Sequence, residues 1–243
     1  AHSVRASIDR EIAHTTCETT FFNAGSGSVN GDFRIALPAG ALVSGFAVER
    51  GGSRQTAEVA LATRSRQELV SSGGVLEWAG DGWLRGTLPG IASGEELKVE
   101  VRYVEWLSPR PQGEGQLVQY RYPLVGEGEA PLIGDFTARI DASPSAPTAV
   151  AAGYGASSEG GVVSLHRSDF RPSADLVVDV ETRRAPGHAR LYVAPPSPDN
   201  PAAGSAVMLR TELPPAATSD GVTLAIVVDT SGSIEPARLP RSE

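Results

Sequence analysis

The feature that most constrains this chain is a strict alternation near its middle. Leu97, Val99, Val101 and Tyr103 alternate with Lys98, Glu100 and Arg102. A period of two sends four apolar side chains to one face and three charges to the other, the pattern of a half-buried β-strand. Val4, Ala6 and Ile8 repeat it, with a tight turn expected at Asp9-Arg10. The run 12–22 is rich in Thr and aromatics, which suit a pleated surface. After a Gly/Ser/Asn loop over 23–31, Phe33, Ile35 and Leu37 alternate until Pro38 and Gly40 break the strand. Further strands are expected over 43–49, 78–88, 95–107, 116–124, 136–140, 162–165, 176–180, 190–193 and 206–213. One helix is expected, from Thr56 to Ser72, where Ala, Glu, Leu, Arg and Gln cluster ahead of Gly73-Gly74.

Composition points the same way. Among 243 residues, 27 Gly and 18 Pro are many for a helical protein and natural for short strands joined by turns. The expected fold class is therefore mainly β: a first β-unit and a second β-rich segment, with at most one or two short helices. No 20–50 residue repeat suggests a solenoid or propeller. Cys17 is the only cysteine, so no intramolecular disulfide can form, and it is expected as a small buried hydrophobe. A net charge of −8, with no basic stripe, argues against nucleic acid as a partner. No run approaches the 18 apolar residues of a membrane helix.

Reactive constellations are scarce in the sequence. His2, His14, His166 and His188 are scattered and form no zinc motif. There is no Gly-x-Ser-x-Gly elbow. Gly153-Tyr154-Gly155 lacks the following Lys-Ser/Thr of a phosphate loop. Trp78, Trp83 and Trp106 suit a sugar- or peptide-binding platform if exposed, but are expected to fill the core. No catalytic residue and no bound cofactor is expected; the chain reads as non-enzymatic.

Two segments carry a family pattern. Val4 through Asn23, then Phe33-Arg34-Ile35-Ala36-Leu37-Pro38-Ala39-Gly40-Ala41-Leu42-Val43-Ser44-Gly45-Phe46, with Leu88-Pro89 and the strand from Glu95 to Tyr103, resemble the VIT domain. That is the vault and inter-alpha-trypsin inhibitor heavy-chain module. Val227-Val228-Asp229-Thr230-Ser231-Gly232-Ser233 resembles the opening strand of a von Willebrand factor A domain, which characteristically follows a VIT domain. Family members tend to place a Tyr where this chain has Arg64 to Leu69. The resemblance implies a β-sandwich-like VIT domain over 1–127, a β-rich connector over 128–220, and an incomplete A-domain strand and metal loop over 221–243. It implies a non-catalytic protein-interaction or scaffolding role toward an unidentified protein partner. An extracytoplasmic or cell-envelope location is favoured over the cytoplasm. Lys98 is the sole lysine beside many Arg, Ala, Gly and Pro residues, which suggests a bacterial source of high GC content. The rival expectation is a purely structural envelope protein.

In the A-domain family, the residues matching Ser231 and Ser233 ligate a metal directly, and the one matching Asp229 acts through water. One carboxylate and two hydroxyls spaced two apart suit a hard cation such as Mg²⁺. The remaining ligands come from downstream loops, and here the sequence ends at Glu243. Pro236 and Pro240 also fall where the first A-domain helix would grow, and proline costs about 3 kcal/mol inside a helix. Asp229, Ser231 and Ser233 are therefore expected to be inert in this chain, with Mg²⁺ or another divalent cation bound only if the A domain is completed. A remote alternative takes Asp229-Thr230-Ser231 as an aspartic-protease strand, but that chemistry needs two carboxylates, and the motif has no second copy.

Overall fold

A computed structural model describes residues 1–57, 75–78, 82–126, 130–183, 190–194 and 206–211. The chain divides into two compact units, 1–184 and 185–243.

The first unit is built on an eight-stranded sheet. In chain order its strands are β1 (His2–Asp9), β2 (Ile12–Phe22), β4 (Leu42–Arg50), β5 (Ser53–Ala57), β8 (Glu96–Trp106), β11 (Ile133–Asp141), β13 (Ser157–Glu159) and β14 (Val162–Phe170). Their spatial order is β13-β14-β11-β1-β2-β8-β4-β5. Every neighbouring pair is antiparallel except β1 and β11, which run parallel. Two smaller sheets complete the unit. One has the order β12-β15-β10-β9, formed by β9 (Arg110–Gln112), β10 (Gly115–Tyr122), β12 (Ala149–Ala152) and β15 (Leu176–Arg183). The other has the order β3-β7-β6, formed by β3 (Val29–Ala36), β6 (Val75–Trp78) and β7 (Trp83–Ile91).

Register explains why the large sheet has one dry face. Val4 lies opposite Cys17 and Ala138, and Cys17 lies opposite Val101, which in turn faces Phe46. All five are buried. The intervening residues Arg5, His14 and Arg102 are exposed on the other face. Both smaller sheets cover the dry face. Tyr120 of β10 meets Thr15 of β2, with 3.0 Å between their hydroxyls. Phe33 of β3 stacks on Phe46 of β4, their ring centroids 6.3 Å apart. The two packings share one continuous core. Each Leu, Ile or Phe buried there contributes roughly 1.5–3 kcal/mol.

The mainly β expectation holds, and the only helical element among the described residues is a 3-10 turn at Ser143–Ser145. The expected turn after Asp9 is present, with Arg10 at a φ of 58°. Several boundaries differ from expectation. Thr56, placed in a helix by composition, belongs to strand β5, which pairs with β4 through Ala47↔Thr56. The rest of that expected helix lies outside the described residues. β3 starts at Val29, inside the expected loop, because its first residues pair with β7. The expected 78–88 strand is two strands, β6 ending at Trp78 and β7 starting at Trp83. Residues 133–183 extend the large sheet and the four-stranded sheet.

In the second unit, β16 (Arg190–Ala194) and β17 (Ala206–Arg210) form an antiparallel hairpin. The apolar run 224–228 and the residues Asp229, Ser231 and Ser233 lie outside the described residues.

Candidate functional site

Two features of the first unit carry chemistry: a buried polar cluster and an open groove. The cluster forms because several inward positions hold polar side chains. His2 precedes Val4 by two residues and shares its face. Its ring lies 5.9 Å from that of Phe136, stacked on it, and 5.8 Å from that of Tyr122. Nδ1 is 2.8 Å from Thr19 Oγ1, and Nε2 is 2.7 Å from the Tyr122 hydroxyl. Burial, with a smaller push from the nearby N-terminal ammonium, lowers the His2 pKa to about 4. The imidazole is neutral at pH 7, with one nitrogen donating and the other accepting.

Cys17 is 1% exposed, as expected of a small core residue, and burial pushes its thiol up to about 11. A thiolate nucleophile is therefore scarce at neutral pH. Glu105 continues the inward series two residues beyond Tyr103 and is 7% exposed. Burial pushes its carboxyl up to about 7. Glu105 Oε1 and the Tyr103 hydroxyl have no hydrogen-bond partner among the described residues. Burial also raises Tyr103, Tyr120 and Tyr122 above the usual phenol range. Cys17, Tyr103, Glu105 and Tyr120 sit inside the sandwich, whereas His2 and Tyr122 stand where the core meets the groove.

The groove is different. It holds about 520 Å³ and is lined by residues 32–36 of β3, Trp83 and Arg85 of β7, and 19–21 at the end of β2. Its other wall is the chain after β10, residues 122–126, together with 130–134 leading into β11. Five consecutive residues of β3 line it, so side chains from both faces of that strand border the space and the strand presents its edge. Asp175 holds the opposite wall. Its Oδ1 accepts the backbone N–H groups of Leu124 and Val125 at 3.1 and 3.3 Å, and its Oδ2 pairs with Arg121 at 3.3 Å. Gly126 lies against the Trp83 indole so closely that a Cβ there would stand 2.4 Å from a ring carbon. A volume of this size and a mixed apolar and polar lining are usual for a binding site.

Trp83 is half-buried in the groove wall, and Trp106 is 40% exposed. The expectation that the tryptophans fill the core fails for Trp106, because it alternates with inward-facing Glu105 and so points outward. The side chain of Trp78 lies outside the described ones. His14 projects from the exposed face of β2. His166 is exposed and 2.6 Å from Asp135. No cluster of three or more His, Cys, Asp or Glu able to hold a metal occurs among the described residues. No described helix is long and apolar enough to cross a membrane.

Residues 1–103 match the family model of the vault protein inter-alpha-trypsin domain. The match covers β1 to β7 and most of β8, and with them the β3 edge and the Trp83–Arg85 side of the groove. The VIT resemblance is thus present over the front of the chain. No curated protein matches the sequence. Among solved structures, a candidate nutrient-binding protein of Legionella pneumophila is similar at 17% identity and a TM-score of 0.42, over 74% of this chain and 65% of its own. An M1 zinc metallopeptidase of Deinococcus radiodurans is similar at 14% identity and a TM-score of 0.38, over 80% of this chain and 43% of its own. The major pilin subunit of Bacillus cereus follows at 9% identity and 0.31, over 93% of this chain and 67% of its own. The chain spans less than two thirds of the length of the first two. At these identities and scores the likenesses bear on neither activity nor partner.

Proposed function

We propose that this chain is a non-catalytic protein-interaction or scaffolding module of a bacterial protein of the VIT and von Willebrand A type. The observation that carries the reading is the groove beside β3. It combines a half-buried indole, guanidinium groups and apolar walls at the surface, whereas Cys17, Tyr103, Glu105 and Tyr120 lie buried in the core away from it. Recognition surfaces favour aromatic and arginine side chains of this kind. In this reading Asp229, Ser231 and Ser233 belong to a metal-dependent adhesion loop that needs the rest of an A domain to bind a cation.

The test is site-specific photo-crosslinking in the cells that produce the protein. A photoreactive residue replaces Val125, in the groove wall, or His14, on the polar outer face of the large sheet. A discrete protein adduct from position 125 and none from position 14 is the expected result. Equal adducts from both positions, or none from either, would remove the support for an interaction groove and favour the purely structural role.

A further inference from the structure

Sheet edges separate β3 from every other strand of the first unit. Among the described residues six strands lie at sheet edges there: β13 and β5, β12 and β9, β3 and β6. Five of them run three to five residues, and β9 carries Pro111. Short edges and edge prolines are the devices by which β proteins avoid pairing with other chains. β3 runs eight residues, carries no proline, and has no strand on its outer side among the described residues. It is also the edge that borders the groove.

Charge adds a second constraint. The register places Arg34 directly opposite Arg85, and Arg85 opposite Glu77. Arg34 is therefore the last residue of its cross-strand row, with no further strand beyond it among the described residues. Like charges directly opposite each other destabilise a sheet. Arg34 is exposed and makes no ion pair among the described residues. An acid on the next strand would complete the row. Flanking Arg34, Phe33 and Ile35 point to the dry face, toward Phe21, whose ring centroid is 6.2 Å from that of Phe33.

We propose, resting on the interaction reading above, that the groove takes an extended peptide segment of a partner protein. The segment adds to the β3 edge as a fourth strand, with an acidic residue opposite Arg34 and apolar residues on either side of it. Main-chain hydrogen bonds to β3 supply affinity, and the alternate side chains supply selection. The far wall, residues 122–126 and 130–134, stands across the groove from β3.

Fluorescence anisotropy with the full chain tests this, using a labelled peptide of alternating Val and Glu. Controls are the same peptide with Lys for Glu, and one N-methylated at alternate amides on either register. The expected result is binding of the Glu peptide, a loss of roughly tenfold or more in Arg34→Glu, and retention in Arg34→Lys. N-methylation of one register should abolish binding, because it removes the donors that face β3. Circular dichroism and thermal melting would establish that Arg34→Glu folds. Equal binding of the Glu and Lys peptides would overturn the acidic assignment, and indifference to N-methylation would overturn strand addition. A concentration-dependent dimer in sedimentation, lost in Arg34→Glu, would make a second copy the occupant and also refute the proposal. If no peptide binds while position 125 still crosslinks a protein, the strand proposal falls and the interaction reading survives; if both fail, both fall.

Discussion

Glu105→Gln isolates the energetic cost of a buried carboxyl. The ordinary glutamate value is 4.5, and burial raises Glu105 to about 7. A raised carboxyl means that the folded state binds more protons than the unfolded state between these values, so stability falls as pH rises. The stability associated with the protonated carboxyl is fully present below pH 4.5 and is lost as pH climbs through about 7. At about 1.36 kcal/mol per pH unit, the interval of 2.5 units corresponds to about 3 kcal/mol. Gln copies the shape of the neutral acid and cannot ionise. The variant and the parent should therefore be of similar stability near pH 4.5, and the variant should gain up to about 3 kcal/mol by pH 8.

His2 makes the difference between the two proteins, rather than either profile alone, the useful quantity. Its value is lowered from 6.5 to about 4, so its contribution is present above pH 6.5 and is lost as pH falls toward 4. Between pH 4.5 and 6.5 the two slopes oppose each other, and the parent should be nearly flat there. Glu105→Gln should unmask the His2 slope, rising with pH up to about 6.5 and levelling off. Urea unfolding at half-unit steps from pH 4.5 to 8, followed by tryptophan fluorescence, measures both. A stability difference that stays constant across this range would refute the reasoning, since it would mean that Glu105 ionises as freely in the fold as in water.

Other perturbations separate packing from recognition. Asp175→Ala should free the groove wall, costing about 1–3 kcal/mol in melting experiments and weakening the Val-Glu peptide more than the parent's stability loss explains; unchanged peptide affinity would mean the wall holds itself. Tyr103→Phe should be neutral or stabilising in urea, because it deletes a buried hydroxyl without a partner among the described residues; a loss above about 1 kcal/mol would reveal a bonded water. Asn23→Ala should cost about 2–3 kcal/mol, since the buried amide donates to the Gly27 and Ile91 carbonyls and its oxygen accepts the Gly25 N–H; a cost near zero would show that the 23–28 loop needs no such clasp. Calorimetric titration of this chain with MgCl₂ should show no binding at millimolar concentration or tighter, and binding lost in Asp229→Ala would contradict the inert reading of that loop.

The division between what was legible in the sequence and what was not follows from the range of each interaction. Faces are local: a period of two assigns Val4, Ala6 and Ile8 to the core and Lys98, Glu100 and Arg102 outward, and the fold agrees. The same count places His2 and Glu105 inward, although both residue types ordinarily favour solvent. Parity was the better guide, as Trp106, outward beside Glu105, also shows. Short exposed strands such as β9, β12 and β13 leave almost no pattern, because three or four residues bury too little to impose one. Edges are not local at all. β1 pairs in parallel with β11, more than a hundred residues away, and nothing within either strand announces the partner. β3 shows an alternating sequence like any half-buried strand, and it becomes a candidate binding edge only because β7 covers one side while the segments 122–126 and 130–134 stand off the other. The groove is thus a product of topology. Arg34 stands in the sequence as one residue of a family-like run, two residues from Asp32 on the same face, but its lack of an ion pair among the described residues is a fact about the sheet, which is why the decisive substitution there reverses a charge and leaves the apolar pattern of the strand intact.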